Sequence, residues 1–154
     1  MVWMLLIIMR FYKKFVEQDL MINKTLAHIG YVVRFMDSAI RRFQKEGGKL
    51  IISPIYDPLQ KVNVCLLKME GNVDIELVCP ADEKDCPVMS RLKRGGGLDH
   101  LCFFVDDLEA GLVDEQELGG IIVCQPTYAV AFNRKIAFVH RRSGLLVELM
   151  LDAS

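Results

Sequence analysis

Shifted against itself by 72 residues, this chain matches without a gap from position 26 to position 78. Ten of those 53 pairs are identical, among them Leu26/Leu98, His28/His100, Val33/Val105, Gly47/Gly119, Tyr56/Tyr128 and Glu76/Glu148. Average composition alone gives roughly three or four. A repeat of this kind restricts the fold more than any local pattern, because both copies must adopt one supersecondary unit and bury its apolar face against the other.

The layout of that unit is legible in each copy. Thr25 to Val33 and Leu98 to Val105 are apolar, β-branched or aromatic runs of strand length. Acidic residues (Asp37; Asp106 and Asp107) then open helix-like stretches, Ser38 to Lys45 and Leu108 to Leu118. Gly47-Gly48 and Gly119-Gly120 stop them. Three strands follow in each copy: Lys49 to Pro54, Val62 to Met69 and Val73 to Val78, then Ile121 to Cys124, Lys135 to His140 and Leu145 to Leu151. Gly71-Asn72 and Ser143-Gly144 mark the last hairpin turns. The expected fold is therefore α+β, two tandem βαβββ modules forming U-shaped mixed sheets around a cleft. Module one takes 25–80 and module two 98–152, joined by a linker, 81–97, with a short helix at Val88 to Lys93.

Residues 1–24 stand outside the repeat. Val2 to Met9 is an unbroken apolar run, too short for the roughly 20 residues that span a bilayer. Its positive charges, Arg10, Lys13 and Lys14, follow the run instead of preceding it as in a signal peptide. Phe11, Phe15 and Val16 recur at helical spacing, so an extra helix is expected; an interfacial anchor, or an upstream extension of a start at Met21, are the alternatives. Five cysteines without a C-x-x-C imply no disulfide framework and a reducing, cytoplasmic setting. A net charge of -1 gives no global pull toward nucleic acid or an anionic membrane.

Two of the three histidines, and two of the glutamates, are related by the repeat. In each copy the histidine lies in the first strand and the glutamate in the last, 48 residues on. Singly, such a histidine is usually a hydrogen-bonded core residue, and such a glutamate usually faces water. Recurrence of the pair changes the reading. If the modules pack about an approximate two-fold axis, two imidazoles and two carboxylates converge, and that set suits zinc, nickel, cobalt or manganese. His140 has Lys68 as its repeat partner and reads as a surface or pocket-rim residue.

The chain resembles the vicinal-oxygen-chelate superfamily (glyoxalase, bleomycin-resistance and dioxygenase fold), and within it the methylmalonyl-CoA epimerase-like branch. The resemblance is carried by His28-Ile29-Gly30, by Ile75 to Pro80, by Leu98 to Phe103 with Val105 to Leu108, and by Ile136 to His140 running on to Leu146-Val147-Glu148-Leu149. It implies one divalent ion held by His28, Glu76, His100 and Glu148, and a homodimer or a compact two-module monomer. It further implies a small-molecule substrate: an acyl-CoA, an acyl-carrier thioester or a glutathione adduct. Glu148 and Glu76 are the carboxylates expected to move a proton next to a carbonyl, with the ion stabilising the enolate or enediolate. Arg134, Lys135 and His140 are weaker substrate-binding candidates. Epimerase-like sequences carry an acid-base glutamate in a short Pro-Glu-Gln-like stretch before the third strand. Here Asp57-Pro58-Leu59-Gln60 puts Leu59 at that place and leaves Asp57 as the nearest carboxylate. Two carboxylates in the ligand set resemble glyoxalase I instead, which makes a lactoylglutathione lyase the alternative. A non-catalytic binder of a small ligand, as in resistance proteins of this fold, is a third.

Overall fold

The computed structural model describes residues 23–84 and 86–152; the N-terminal run and the expected extra helix lie outside them. Eight strands form one mixed sheet: β1 (Thr25–Val32), β2 (Gly48–Asp57), β3 (Val62–Met69), β4 (Asp74–Pro80), β5 (Gly97–Val105), β6 (Ile121–Ala129), β7 (Arg134–His140) and β8 (Leu146–Leu151). Three helices accompany them: α1 (Met36–Lys45), α2 (Met89–Lys93) and α3 (Leu108–Glu117). The expected α+β architecture of two βαβββ units is the one observed.

The sheet order, β2-β3-β4-β1-β5-β8-β7-β6, reads as a mirrored pair of four-strand sets. The first strand of each module runs parallel to its own last strand, β1 with β4 and β5 with β8. The modules join where β1 pairs antiparallel with β5, setting Gly30 opposite His100 and His28 opposite Cys102. The seam thus lies at the approximate two-fold axis.

Strand alternation divides the residues between two faces. On the helix side, α1 turns Met36, Ala39, Ile40 and Phe43 onto Cys65, Leu67 and Leu77. These apolar positions recur at helical spacing while Arg41, Arg42 and Lys45 stay outside, so burial of one stripe holds the helix down. In module two, α3 packs Leu108 and Leu112 on Val105, Ala137, Val139, Val147 and Leu149. On the other, concave face lie two smaller clusters. One gathers Val32, Val62, Val64, Val78, Cys86 and Leu92. The second gathers Cys102, Ala129, Ile136 and Met150, with Phe132 and Phe138 against them.

Two local expectations change. Asp37 sits in the first turn of α1, but the N-cap is Phe35 and no side chain caps that helix. In α3 the expected acidic cap is present: Asp107 accepts from the Ala110 amide at 3.0 Å. β2 and β6 also run further than expected, past Pro54 and Pro126, with a register shift spanning each proline. Both are edge strands, where a residue without an N–H breaks no ladder bond and a bulge absorbs the misfit.

Candidate metal centre

His28 on β1, Glu76 on β4, His100 on β5 and Glu148 on β8 all project from the inner four strands onto the concave face. All four are buried, with 2, 6, 3 and 2% exposure. Their donor atoms lie within 4.8 Å of one another. His28 Nε2 is 3.1 Å from Glu148 Oε2 and 3.4 Å from Glu76 Oε2. His100 Nε2 is 3.2 Å from each of the same two oxygens.

The fit of this set to a divalent ion can be tested on the structure itself. His100 Nε2 is buried and makes no hydrogen bond, although two carboxylate oxygens stand close by. An orphaned buried nitrogen is costly and calls for a partner. Nitrogen-to-oxygen spacings of 3.1–3.4 Å also suit donors that each lie about 2.0–2.2 Å from one shared ion. Nitrogen and oxygen donors in equal number match a borderline cation. The residues fit the group.

Electrostatics agree. Burial alone drives imidazolium toward neutrality, but Glu148 and Glu76 outweigh it and raise His28 to about 9. Against the same burial, Asp99, Glu148 and Glu76 hold His100 well above the ordinary histidine value. Burial pushes both carboxylates up, and the two imidazoles more than reverse that, keeping Glu76 and Glu148 below the usual range. Two carboxylates and two protonated rings form a neutral cluster; a dication with two neutral rings has the same total charge.

The ring supports differ between the copies. His100 Nδ1 lies 3.1 Å from Asp99 Oδ2, which fixes the tautomer and aims Nε2 at the centre. Its ring lies directly over Gly30, where a Cβ would come within 2.0 Å of Cε1. His28 instead stacks on Phe132, with centroids 5.0 Å apart and planes 17° from parallel.

A cavity of about 390 Å³ opens beside the four donors and is lined by Glu76, His100 and Glu148 together with Val62, Val64 and Val123. Leu59 and Gln60 line it from the β2–β3 turn. Asp57, the nearest carboxylate to the place of the missing glutamate, is absent from the cavity lining. It is buried, and its carboxylate accepts from the Leu59 and Gln60 amides at 2.9 and 3.0 Å and from Gln60 Nε2 at 3.2 Å. Its chemistry is spent on shaping the turn. Arg134 reaches Asp152 and the Leu151 carbonyl and lies over the Phe104 ring. Lys135 and His140 are exposed on β7, and none of these three lines the cavity. Sequence reasoning passed over Asp99 and Phe132. Asp99 was detectable as the carboxylate preceding a repeat-related histidine; Phe132, supplied by a turn, left no signal. A larger groove, about 770 Å³, lies beside α1 and holds none of the four donors.

Comparison with known proteins agrees with this fold. Bovine mitochondrial methylmalonyl-CoA epimerase is 27% identical over 128 residues, covering 80% of this chain and 72% of that protein. The ethylmalonyl-CoA/methylmalonyl-CoA epimerase of Cereibacter sphaeroides is 26% identical over 129 residues, covering 80% and 95%. The crystal structure of methylmalonyl-CoA epimerase from Mycobacterium tuberculosis superposes with a TM-score of 0.73 at 29% identity, covering 84% of this chain and 88% of that one. The family model for the Glyoxalase/Bleomycin resistance protein/Dioxygenase superfamily matches residues 27–138, and the chain belongs to that superfamily.

Proposed function

We propose that this chain is a divalent-metal-dependent isomerase of the epimerase type, moving a proton at the carbon next to the carbonyl of an acyl thioester. The observation that carries the reading is the buried His28–Glu76–His100–Glu148 set, with its orphaned nitrogen, opening on a ligand-sized cavity. Similarity to the bovine and C. sphaeroides epimerases supports the acyl-CoA class. His28, Glu76, His100 and Glu148 hold the ion. When bound, it supplies a Lewis acid that stabilises negative charge developing on a substrate oxygen. Glu148 and Glu76 line the cavity, so a carboxylate oxygen of either can take the α-proton, and epimerisation follows when a proton is delivered to the opposite face of the planar carbon. Asp99 orients His100, and the buried Val62 and Val64 make the wall beside the donors apolar, which strengthens each charge interaction there. The same reading makes the chain a cytoplasmic homodimer, which sedimentation velocity checks. Among the described residues no helix is long and apolar enough to cross a membrane.

The test combines metal analysis with exchange. Protein purified without added metal is expected to hold one dication per chain and to wash deuterium from D2O into the α-position of methylmalonyl-CoA. EDTA should abolish the exchange and added zinc, nickel, cobalt or manganese restore it. Absence of a bound dication, or no exchange on any acyl thioester, overturns the proposal. One observation favours a second reading: both acidic ligands are glutamates, the set that resembles glyoxalase I. Turnover of the methylglyoxal–glutathione adduct without thioester exchange would select it, and a lyase would replace the isomerase.

A further inference from the structure

The turns that flank the four donors on the concave face differ between the two modules. Gln60 and Phe132 are repeat equivalents, 72 apart, on matching turns that each contain a left-handed residue, Lys61 (φ 55) and Asn133 (φ 54). Phe132 folds onto His28 and packs with Ala129, Ile136 and Met150. Gln60 makes no such contact with a donor and instead lines the cavity of about 390 Å³, which strands of both modules wall. That space equals roughly a dozen waters at about 30 Å³ each.

Its walls have a one-sided chemistry. Val62, Val64 and Val78 come from β3 and β4, and Val123, Phe138 and Leu146 from β6, β7 and β8. Among the described residues no lysine or arginine lines it. The remaining carboxylate, Asp99, already faces His100. A second anionic group placed there would lose its water, gain no cation and face Asp99. An alkyl or aryl group loses nothing and leaves water for apolar contact.

We propose that this cavity receives an uncharged, apolar substituent of the substrate, larger than a methyl group, while the substrate's oxygens stay at the four-donor set. This rests on the metal-site reading above and adds the class of acyl group: an α-branched or aryl-bearing acyl chain with no charge beyond its chelating oxygens. Two probes separate the alternatives by calorimetry on the metal-loaded full chain. 4-Methyl-2-oxopentanoate and 2-oxoglutarate carry the same oxo-carboxylate pair and differ at the far end. The apolar probe is expected to bind at least about tenfold tighter. Val64→Lys should narrow that ratio. Should this buried change prevent folding, Val123→Lys, at a position 57% exposed, places a cation on the same cavity and should narrow it too. Equal affinities, or a preference for 2-oxoglutarate, in protein shown to hold its dication overturn this inference and leave the proposed function standing. A chain that takes up no dication overturns both.

Discussion

His28 and His100 occupy the same place in the two copies, yet their rings are held by different neighbours. The residue before His28 is Ala27, and the one before His100 is Asp99. Across the seam, His100 faces Gly30 while His28 faces Cys102, again equivalent positions. One ring is fixed by a hydrogen bond and a bare backbone, the other by stacking on Phe132. The helix side diverges in the same way. Phe43 of α1 packs on Tyr31 in an apolar cluster, whereas its equivalent in α3 is Glu115, buried and paired with Arg141 and Lys24. Duplication kept the donors, which chemistry constrains, and released the supports, which need only hold a ring in place.

The largest expected effect tests the seam. In Gly30→Ala the new Cβ meets the His100 ring at 2.0 Å, so ring or strand must shift. Metal binding should be lost and stability should fall by about 3 kcal/mol, the upper range for overpacking. The matching change in the other half, Cys102→Ala, removes only a buried thiol and should cost about 1 kcal/mol with binding retained. Urea denaturation and dication titration on both variants would show whether the asymmetry is real; equal losses would erase it.

A smaller effect is expected at Asp99. Asp99→Ala should weaken dication affinity about tenfold by freeing the His100 tautomer. Asp99→Asn, which still accepts the Nδ1 proton, should fall between. Competition against a chromophoric chelator measures all three. Unchanged affinity would mean that Gly30 and Phe138 alone hold the ring.

The smallest effect separates the helix sides by pH. Burial raises the Glu115 carboxyl, but Arg141 and Lys24 more than offset it and hold it below the ordinary carboxylate value. A carboxyl depressed in the folded state stabilises above its unfolded pKa, and that contribution disappears as pH falls through the folded one. Arg141 is one-third exposed, so the network is worth only about 1 kcal/mol after screening. Glu115→Gln should lower stability by that amount at pH 7 and by less toward pH 3. Phe43, carrying no charge, predicts no such slope for α1. Denaturation curves across that range decide, and a parallel offset at every pH would remove the ion pair from the account.

Much of this was readable in the chain because identical donors at a fixed offset must arise from identical strands. That one regularity carries the pairing of modules and the convergence of the four side chains. Element ends were less legible where topology overrides local chemistry. Pro54 and Pro126 look like strand stops until both strands are known to be edges. Asp57 looks like a free carboxylate until its turn closes around it. Phe132 carries no local sign that it will lie on His28, a hundred residues earlier in the chain. Contacts that close across the seam depend on how sharply two turns fold inward, and no spacing records that.

The antiparallel pairing of β1 with β5 has a historical consequence. Either module alone carries one histidine and one glutamate, half of a four-donor set. A single-module ancestor gathers all four only by joining β1 to β1 of a second molecule, as β1 joins β5 here. For such a lone module the seam would be a boundary between identical chains, and any change to one side would be copied on the other. A chain that carries both modules is free of that constraint. Phe132 against His28 on one turn and Gln60 at the cavity on the other are differences that only such a chain can hold, and they give the cleft a direction.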